Sequence, residues 1–177
     1  MQPKDKIERF EQLVLPVLDA AYNLARWLTR NEHDAEDVVQ EAYLRAFKFF
    51  DSFDGRDARV WFLAIVRNTC FTFFRKDHRD TQEEFDEQAH GQTNAIPDVE
   101  ERMVREAEIN LLRSALEQLP QDFREVLVLR EFEDLSYKEI AAMLSLPIGT
   151  VMSRLTRARE RLLKAVKAKA AQDEVRS

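Results

Sequence analysis

Thr150, Ser153, Arg154, Arg157 and Arg161 fall at helical spacing on the side opposite Val151, Leu155, Ala158 and Leu162. Guanidinium groups fork onto guanine edges or clamp phosphates, and small hydroxyl residues let a helix come close to the major groove. The segment Thr150–Ala170 carries seven basic residues against Glu160 alone, so the pattern predicts a duplex-reading helix; the plainer alternative is a solvated basic face. A second set lies upstream. On a helix expected over residues 58–75, Trp61, Asn68, Thr72 and Arg75, flanked by Phe71, gather opposite Phe62, Leu63, Val66, Cys70, Phe73 and Phe74. Rings that stack bases, an amide that reads a splayed-out base edge and a cation for phosphate are what single-stranded nucleic acid requires. The competing reading makes Trp61 and Phe71 core aromatics of a small domain.

A third set suits a protein partner. Wound at 100° per residue, 35–50 places Val38, Val39, Ala42, Ala46, Phe49 and Phe50 on a core side. The opposite side mixes Asp37, Gln40 and Glu41 with Leu44 and Phe47. An apolar centre with a charged rim is the anatomy of an interface; alternatively Phe47 packs on a neighbouring helix and the acids face water.

Little speaks for catalysis. His33, His78 and His90 lie in a turn and a linker without metal-ligand spacing, Cys70 falls on a core side, and no glycine-rich phosphate loop is present. Neither an enzyme nor a bound cofactor or metal is expected.

The elements that must position these residues follow from punctuation. A helical stretch runs from about Lys6 to Thr29, and Asn31–Asp34 breaks it, with Asp34 as the expected cap of the next helix. Asp51–Asp57 is a turn before the 58–75 helix. Residues 78–98 are acidic and poor in large apolar residues, which predicts a mobile linker. Helices are then expected over about Glu100–Leu119 and Gln121–Phe132, on either side of Pro120. Ser136 and Glu139 form an S-x-x-E capping box opening a short helix to Leu144. A turn over Ser145–Gly149 leads into the long basic helix from Thr150, completing a helix-turn-helix pattern. The predicted fold is all-α: two small helical domains, 7–77 and 99–168, joined by a flexible acidic linker, with a tail over 169–177.

Composition agrees. The chain has 177 residues, 3 Gly, 5 Pro and a single Cys, which suits helices and leaves no internal disulfide. The net charge of −6 is uneven: residues 78–108 hold 3 basic and 10 acidic residues, whereas 109–177 hold 12 and 10. That asymmetry points to a nucleic-acid surface near the C-terminal end. No run has the apolar length of a membrane span and Met1–Phe10 lacks a signal-peptide profile, so a cytoplasmic protein is expected.

Two blocks carry a family resemblance. DAEDVVQEAYLRAF (Asp34–Phe47), Asp51-Ser52-Phe53 and WFLAIVRN (Trp61–Asn68) resemble region two of sigma-70-type factors. LPQDFREVLVL (Leu119–Leu129) and LSYKEIAAMLSLPIGTVMSRLTRAR (Leu135–Arg159) resemble region four of the extracytoplasmic-function group, which similarly has only these two regions. The resemblance implies a sigma factor that binds core RNA polymerase and directs promoter-specific initiation. It implies that Asp37, Gln40, Glu41, Leu44 and Phe47 grip the clamp helices of the largest catalytic subunit. It assigns Asn68 to a flipped base of the minus-ten element, Trp61 to Arg75 to melting, and Ser153, Arg154 and Arg157 to the minus-thirty-five element. Region four would rest on the polymerase flap, the linker would thread channels near the active centre, and an anti-sigma factor would be a partner. Met152 stands where the family often has Lys or Arg, and Thr72 where it often has Asp. The rival is a stand-alone helix-turn-helix transcriptional regulator, which leaves the first domain's two faces without a task.

Overall fold

The computed structural model describes residues 2–80 and 99–176, and every regular element among them is helical. Two helical domains are joined by a linker, of which residues 81–98 lie outside the described residues.

The expected helix from Lys6 to Thr29 is two. α1 (Pro3–Val14) and α2 (Leu18–Thr29) are separated by a 3-10 turn, Leu15–Val17, because Pro16 has no N–H to continue an α-helical ladder. Arg30 closes α2 in the left-handed conformation, φ 61°. α3 (Glu32–Lys48) begins earlier than expected, since Asn31 and not Asp34 is its cap: Asn31 Oδ1 accepts from the Asp34 N–H at 3.0 Å. A second 3-10 turn, Phe50–Ser52, precedes α4 (Ala58–Asp80), which runs past the expected end at Arg75. Asp57 Oδ1 accepts from the Val60 N–H at 3.2 Å and so caps its start.

α2, α3 and α4 pack together around Leu24, Leu28, Val38, Phe62, Leu63 and Val66, all fully buried. α1 closes one end through Phe10, whose ring meets Tyr43, Phe47 and Phe50 edge-on at 5.0, 5.2 and 5.3 Å, a favoured aromatic geometry. Phe49, expected in this core, is exposed instead, with Lys48 Nζ over its ring at 5.7 Å. The rapid turn after Lys48 commits Phe50 inward and leaves Phe49 outside.

The second domain comprises α5 (Val99–Glu117), α6 (Gln121–Leu127), a π-helical turn Val128–Phe132, α7 (Tyr137–Leu144) and α8 (Ile148–Arg176). Its core holds Leu116, Val126, Leu129, Ile140, Val151 and Leu155. Arg124 is buried beneath the end of α5, where its Nη1 donates to the Leu119 and Glu117 carbonyls at 3.2 and 3.3 Å. That guanidinium satisfies carbonyls a helix end leaves without partners; burial lowers its pKa to about 10, still charged at neutral pH. The two domains touch: α2 meets α6 and the π turn, and α4 meets α7.

Candidate nucleic-acid interface

The helix-turn-helix is built as its punctuation predicts. Ser136 Oγ accepts from the Glu139 N–H at 3.0 Å while Glu139 Oε1 accepts from the Ser136 N–H at 2.9 Å. Both donors at the start of α7 are thereby satisfied. Ser145 ends α7 in the left-handed conformation, φ 55°. Pro147 then launches α8, its carbonyl accepting from the N–H groups of Thr150 and Val151, so the helix starts at Ile148, two residues before the expected Thr150.

Val151, Leu155 and Ala158 face the core, and Leu162 is half-buried. Ser153 and Arg157 are exposed, and Thr150 and Arg154 half-buried. Ser153 Oγ donates to the Thr150 carbonyl at 3.1 Å, which folds that hydroxyl onto the backbone. Arg161 is exposed with its guanidinium 4.9 Å from the centre of the Phe123 ring; α6 thus braces it. Met152 is exposed beside this group. Arg159, not singled out by spacing, is held by Glu131 at 2.8 Å.

On α4, Asn68 and Arg75 are exposed, and Phe71 and Thr72 half-buried. Thr72 Oγ1 donates to the Asn68 backbone carbonyl at 3.0 Å, and Asn68 itself lies on the exposed side of α4. Trp61 stands apart, about two turns earlier, half-buried against Phe53 at 4.8 Å and Phe50 at 6.2 Å. Sequence spacing grouped these side chains on one side; the fold brings Asn68, Phe71 and Thr72 together and seats Trp61 in a separate aromatic stack. It also adds two cations that the sequence reading passed over. Arg67 lies 4.5 Å from the centre of the Phe71 ring and donates to Glu125 of the second domain. Arg59 donates to Glu133 at 2.9 Å. Only the three-dimensional pairing singles them out.

On α3, Asp37, Gln40, Glu41 and Leu44 are exposed, Leu44 by 59%. Glu41 pairs with Arg45 one turn on at 3.0 Å. Phe47 departs from the expected exposed position: it is half-buried beneath α1, against Phe10 and with Lys6 Nζ 4.9 Å above its ring. The Phe10 ring needs an aromatic neighbour there, so Phe47 borders the face rather than crowning it. In its place the apolar surface continues sideways into a shallow groove of about 460 Å³ lined by Leu15, Leu18, Val39, Tyr43 and Leu44.

Among the described residues, no group of His, Cys, Asp and Glu is arranged to hold a metal, and no helix is long and apolar enough to cross a membrane. Cys70 is fully buried and burial pushes its thiol up to about 12, so it is no nucleophile at neutral pH.

A capped helix-turn-helix with a basic outer face, carried beside a second helical domain, is the architecture of a DNA-binding protein. Comparison with known proteins narrows this. The description "Sigma-70 region 2" matches residues 13–80 and "Sigma-70, region 4" matches 109–162. The chain is 36% identical over 166 residues to the RNA polymerase sigma-H factor of Pseudomonas aeruginosa, covering 89% of this chain and 86% of that one. It is 33% identical over 154 residues to the ECF RNA polymerase sigma factor SigE of Mycolicibacterium smegmatis, covering 86% of this chain but only 60% of that longer one. Its fold is similar to that of the sigma factor RpoE from Bartonella quintana, solved in complex with the anti-sigma factor NepR, with TM-score 0.74, 31% identity and coverage of 90% and 98%. The chain belongs to the sigma-70 family of RNA polymerase sigma factors, in its extracytoplasmic-function group. As a sigma factor it directs RNA polymerase to promoters and is not an enzyme.

Proposed function

We propose that the two DNA-facing surfaces divide promoter reading between them. Asn68 captures an unstacked base of the minus-ten element, with Phe71, Thr72 and Arg75 beside it and Trp61 at the upstream end. Ser153, Arg154 and Arg157, with Thr150 and Arg161 on the backbone, read the minus-thirty-five element in the major groove. The observation that carries this reading is exposed Asn68 on α4, next to Arg67 and one turn before Phe71, over whose ring the Arg67 guanidinium lies, a setting that fits a splayed-out base. The α3 surface of Asp37, Gln40, Glu41 and Leu44, bordered by Phe47, docks on the clamp helices of core polymerase. Its exposed leucine with a charged rim supports that role, and the second domain rests on the polymerase flap. An anti-sigma factor is the partner that restrains it, by analogy with the Bartonella complex.

The test is a promoter-binding and transcription assay with and without core polymerase. Free chain should shift promoter duplex poorly, and adding core should give specific initiation that Asn68→Ala reduces at the melting step. Tight, specific duplex binding by the free chain, unchanged by core, would overturn the reading in favour of an autonomous regulator.

A further inference from the structure

The minus-ten and minus-thirty-five elements are separated by about 25 base pairs, roughly 85 Å along a duplex at about 3.4 Å per base pair. In this structure one side chain links the two reading helices. Glu125 of α6 bonds Arg67 of α4, the residue next to Asn68, and the same carboxylate lies within the electrostatic reach of Arg154 on α8. The longest element, α8, has 29 residues and so spans only about 44 Å at ~1.5 Å per residue. The closed chain cannot engage both elements, and the contact between the domains must break on a promoter.

That contact has a specific chemistry. Two carboxylates of the second domain, Glu125 and Glu133, are almost wholly buried, and each meets an arginine of the melting helix: Arg67 and Arg59. Trp27 of α2 stacks on Phe132, with rings 6° from parallel and centres 5.7 Å apart, and Arg30 donates to the Glu117 carbonyl. Arg67 at the same time lies over the Phe71 ring, beside the amide proposed to take a base. A carboxylate and a phosphate present the same kind of anionic oxygen to a guanidinium fork. A buried ion pair also gives little net stability over its separated, hydrated ions, because desolvation offsets the attraction; such a pair is suited to exchange. The α3 surface is meanwhile open, with Asp37, Gln40, Glu41 and Leu44 exposed.

We propose that Arg59 and Arg67 bind phosphates of the melted strand, and that Glu125 and Glu133 occupy their guanidinium groups in the promoter-free chain. Opening of the domains and capture of the strand are then one exchange of anions. This rests on the assignment of α4 to the melted strand and adds to it two phosphate ligands and an internal competitor.

The two halves of the lock give opposite predictions for DNA. In full-length chain, dyes on Asp54→Cys and Lys167→Cys report domain separation by energy transfer, and fluorescein-labelled oligothymidine reports strand binding. Glu125→Gln with Glu133→Gln, which leaves no anion on either guanidinium, should tighten oligothymidine binding about 10-fold. Arg59→Gln with Arg67→Gln, which leaves two buried carboxylates without their partners, should lower energy transfer, yet bind no tighter than wild type. Its slope of log affinity against log salt should be shallower than that of the glutamate variant by about 1.4, at ~0.7 per lost single-strand phosphate contact. If Glu125→Gln does not fold, Glu133→Gln alone makes the same comparison with Arg59→Gln, whose side chain is already 39% exposed. Glutamate and arginine variants that bind DNA alike, or energy transfer that the arginine pair leaves unchanged, would overturn the proposal. Promoter melting by wild-type and Asn68→Ala holoenzyme, followed by permanganate, is read separately. Equal melting by those two removes the strand assignment itself; normal dependence on Asn68 with alike lock variants removes only the exchange.

Discussion

Arg59 and Glu133 lie 74 positions apart in the chain and meet at 2.9 Å, one on α4 and the other just past the π turn of the second domain. Burial raises the Glu133 carboxyl above the usual carboxylate value of 4.5, outweighing the pull of the Arg59 guanidinium, and burial does the same at Glu125 against Arg67. A carboxyl raised in the native state holds its proton more readily there than in the unfolded chain. Its stability contribution is complete below 4.5 and is lost as pH rises through the raised value. Glu125→Gln and Glu133→Gln should therefore flatten the fall in native stability above pH 4.5, measured as the difference from wild type in urea melts across pH. A difference that did not vary with pH would remove this linkage.

The capping box makes a second prediction. Ser136→Ala leaves the Glu139 N–H without its acceptor and should cost about 1 kcal/mol of second-domain stability. Denaturant unfolding followed by circular dichroism measures it, and Ser136→Asp should recover most of the loss.

Most of the α-helical scaffold was legible because its signals are local. Ser136 and Glu139 are three residues apart, Val151, Leu155 and Ala158 share one helical stripe, and Phe62, Leu63, Val66 and Cys70 another. The helix break at Pro16 was not read, because the apolar residues around it carry helical periodicity straight from Lys6 to Thr29. What pattern could not give was non-local or geometrically odd. Phe47 turns inward only because α1 delivers Phe10 beside it. The π turn at Val128–Phe132, which lets Phe132 reach Trp27, has no sequence signature. Arg59 and Arg67 look like ordinary surface cations until Glu133 and Glu125 arrive from the other domain.

Docking is tested on α3. Asp37→Lys with Glu41→Lys should abolish pull-down of core polymerase while leaving the helical circular-dichroism signal intact, since both side chains are exposed. Leu44→Ala should weaken it less, and a double charge reversal that still assembled normally would remove the assignment.

Cys70 reports on the same domain. Its thiol is fully buried and raised to about 12 from 9.0. A thiol reagent at pH 8 should not react with native protein and should react at once in denaturant. Because the raised group ionises more readily when unfolded, stability should fall as pH rises above 9 towards 12. Rapid labelling of native chain would mean that α4 opens locally.

The last prediction separates reading from clamping on α8. Arg154 and Arg157 leave the helix away from Val151, Leu155 and Ala158, so their replacement leaves the core intact. An arginine forked onto a base carries about 1–3 kcal/mol of discrimination, whereas a phosphate contact weakens every sequence alike and contributes to the salt slope. At least one of Arg154→Ala and Arg157→Ala should relax preference at a defined base pair of the upstream element. Arg161, braced by Phe123 and a turn farther along, should on replacement weaken binding uniformly and flatten the salt slope. Arg154 has the further distinction of lying near Glu125, so its replacement should also shift the opening equilibrium of free chain, whereas Arg157→Ala should not. Transcription by each holoenzyme from a library randomised across the upstream element measures the first effect, and energy transfer in the free chain measures the second. If both arginine variants kept wild-type base preferences while total activity fell, the face would be a phosphate clamp and the upstream element would be read elsewhere.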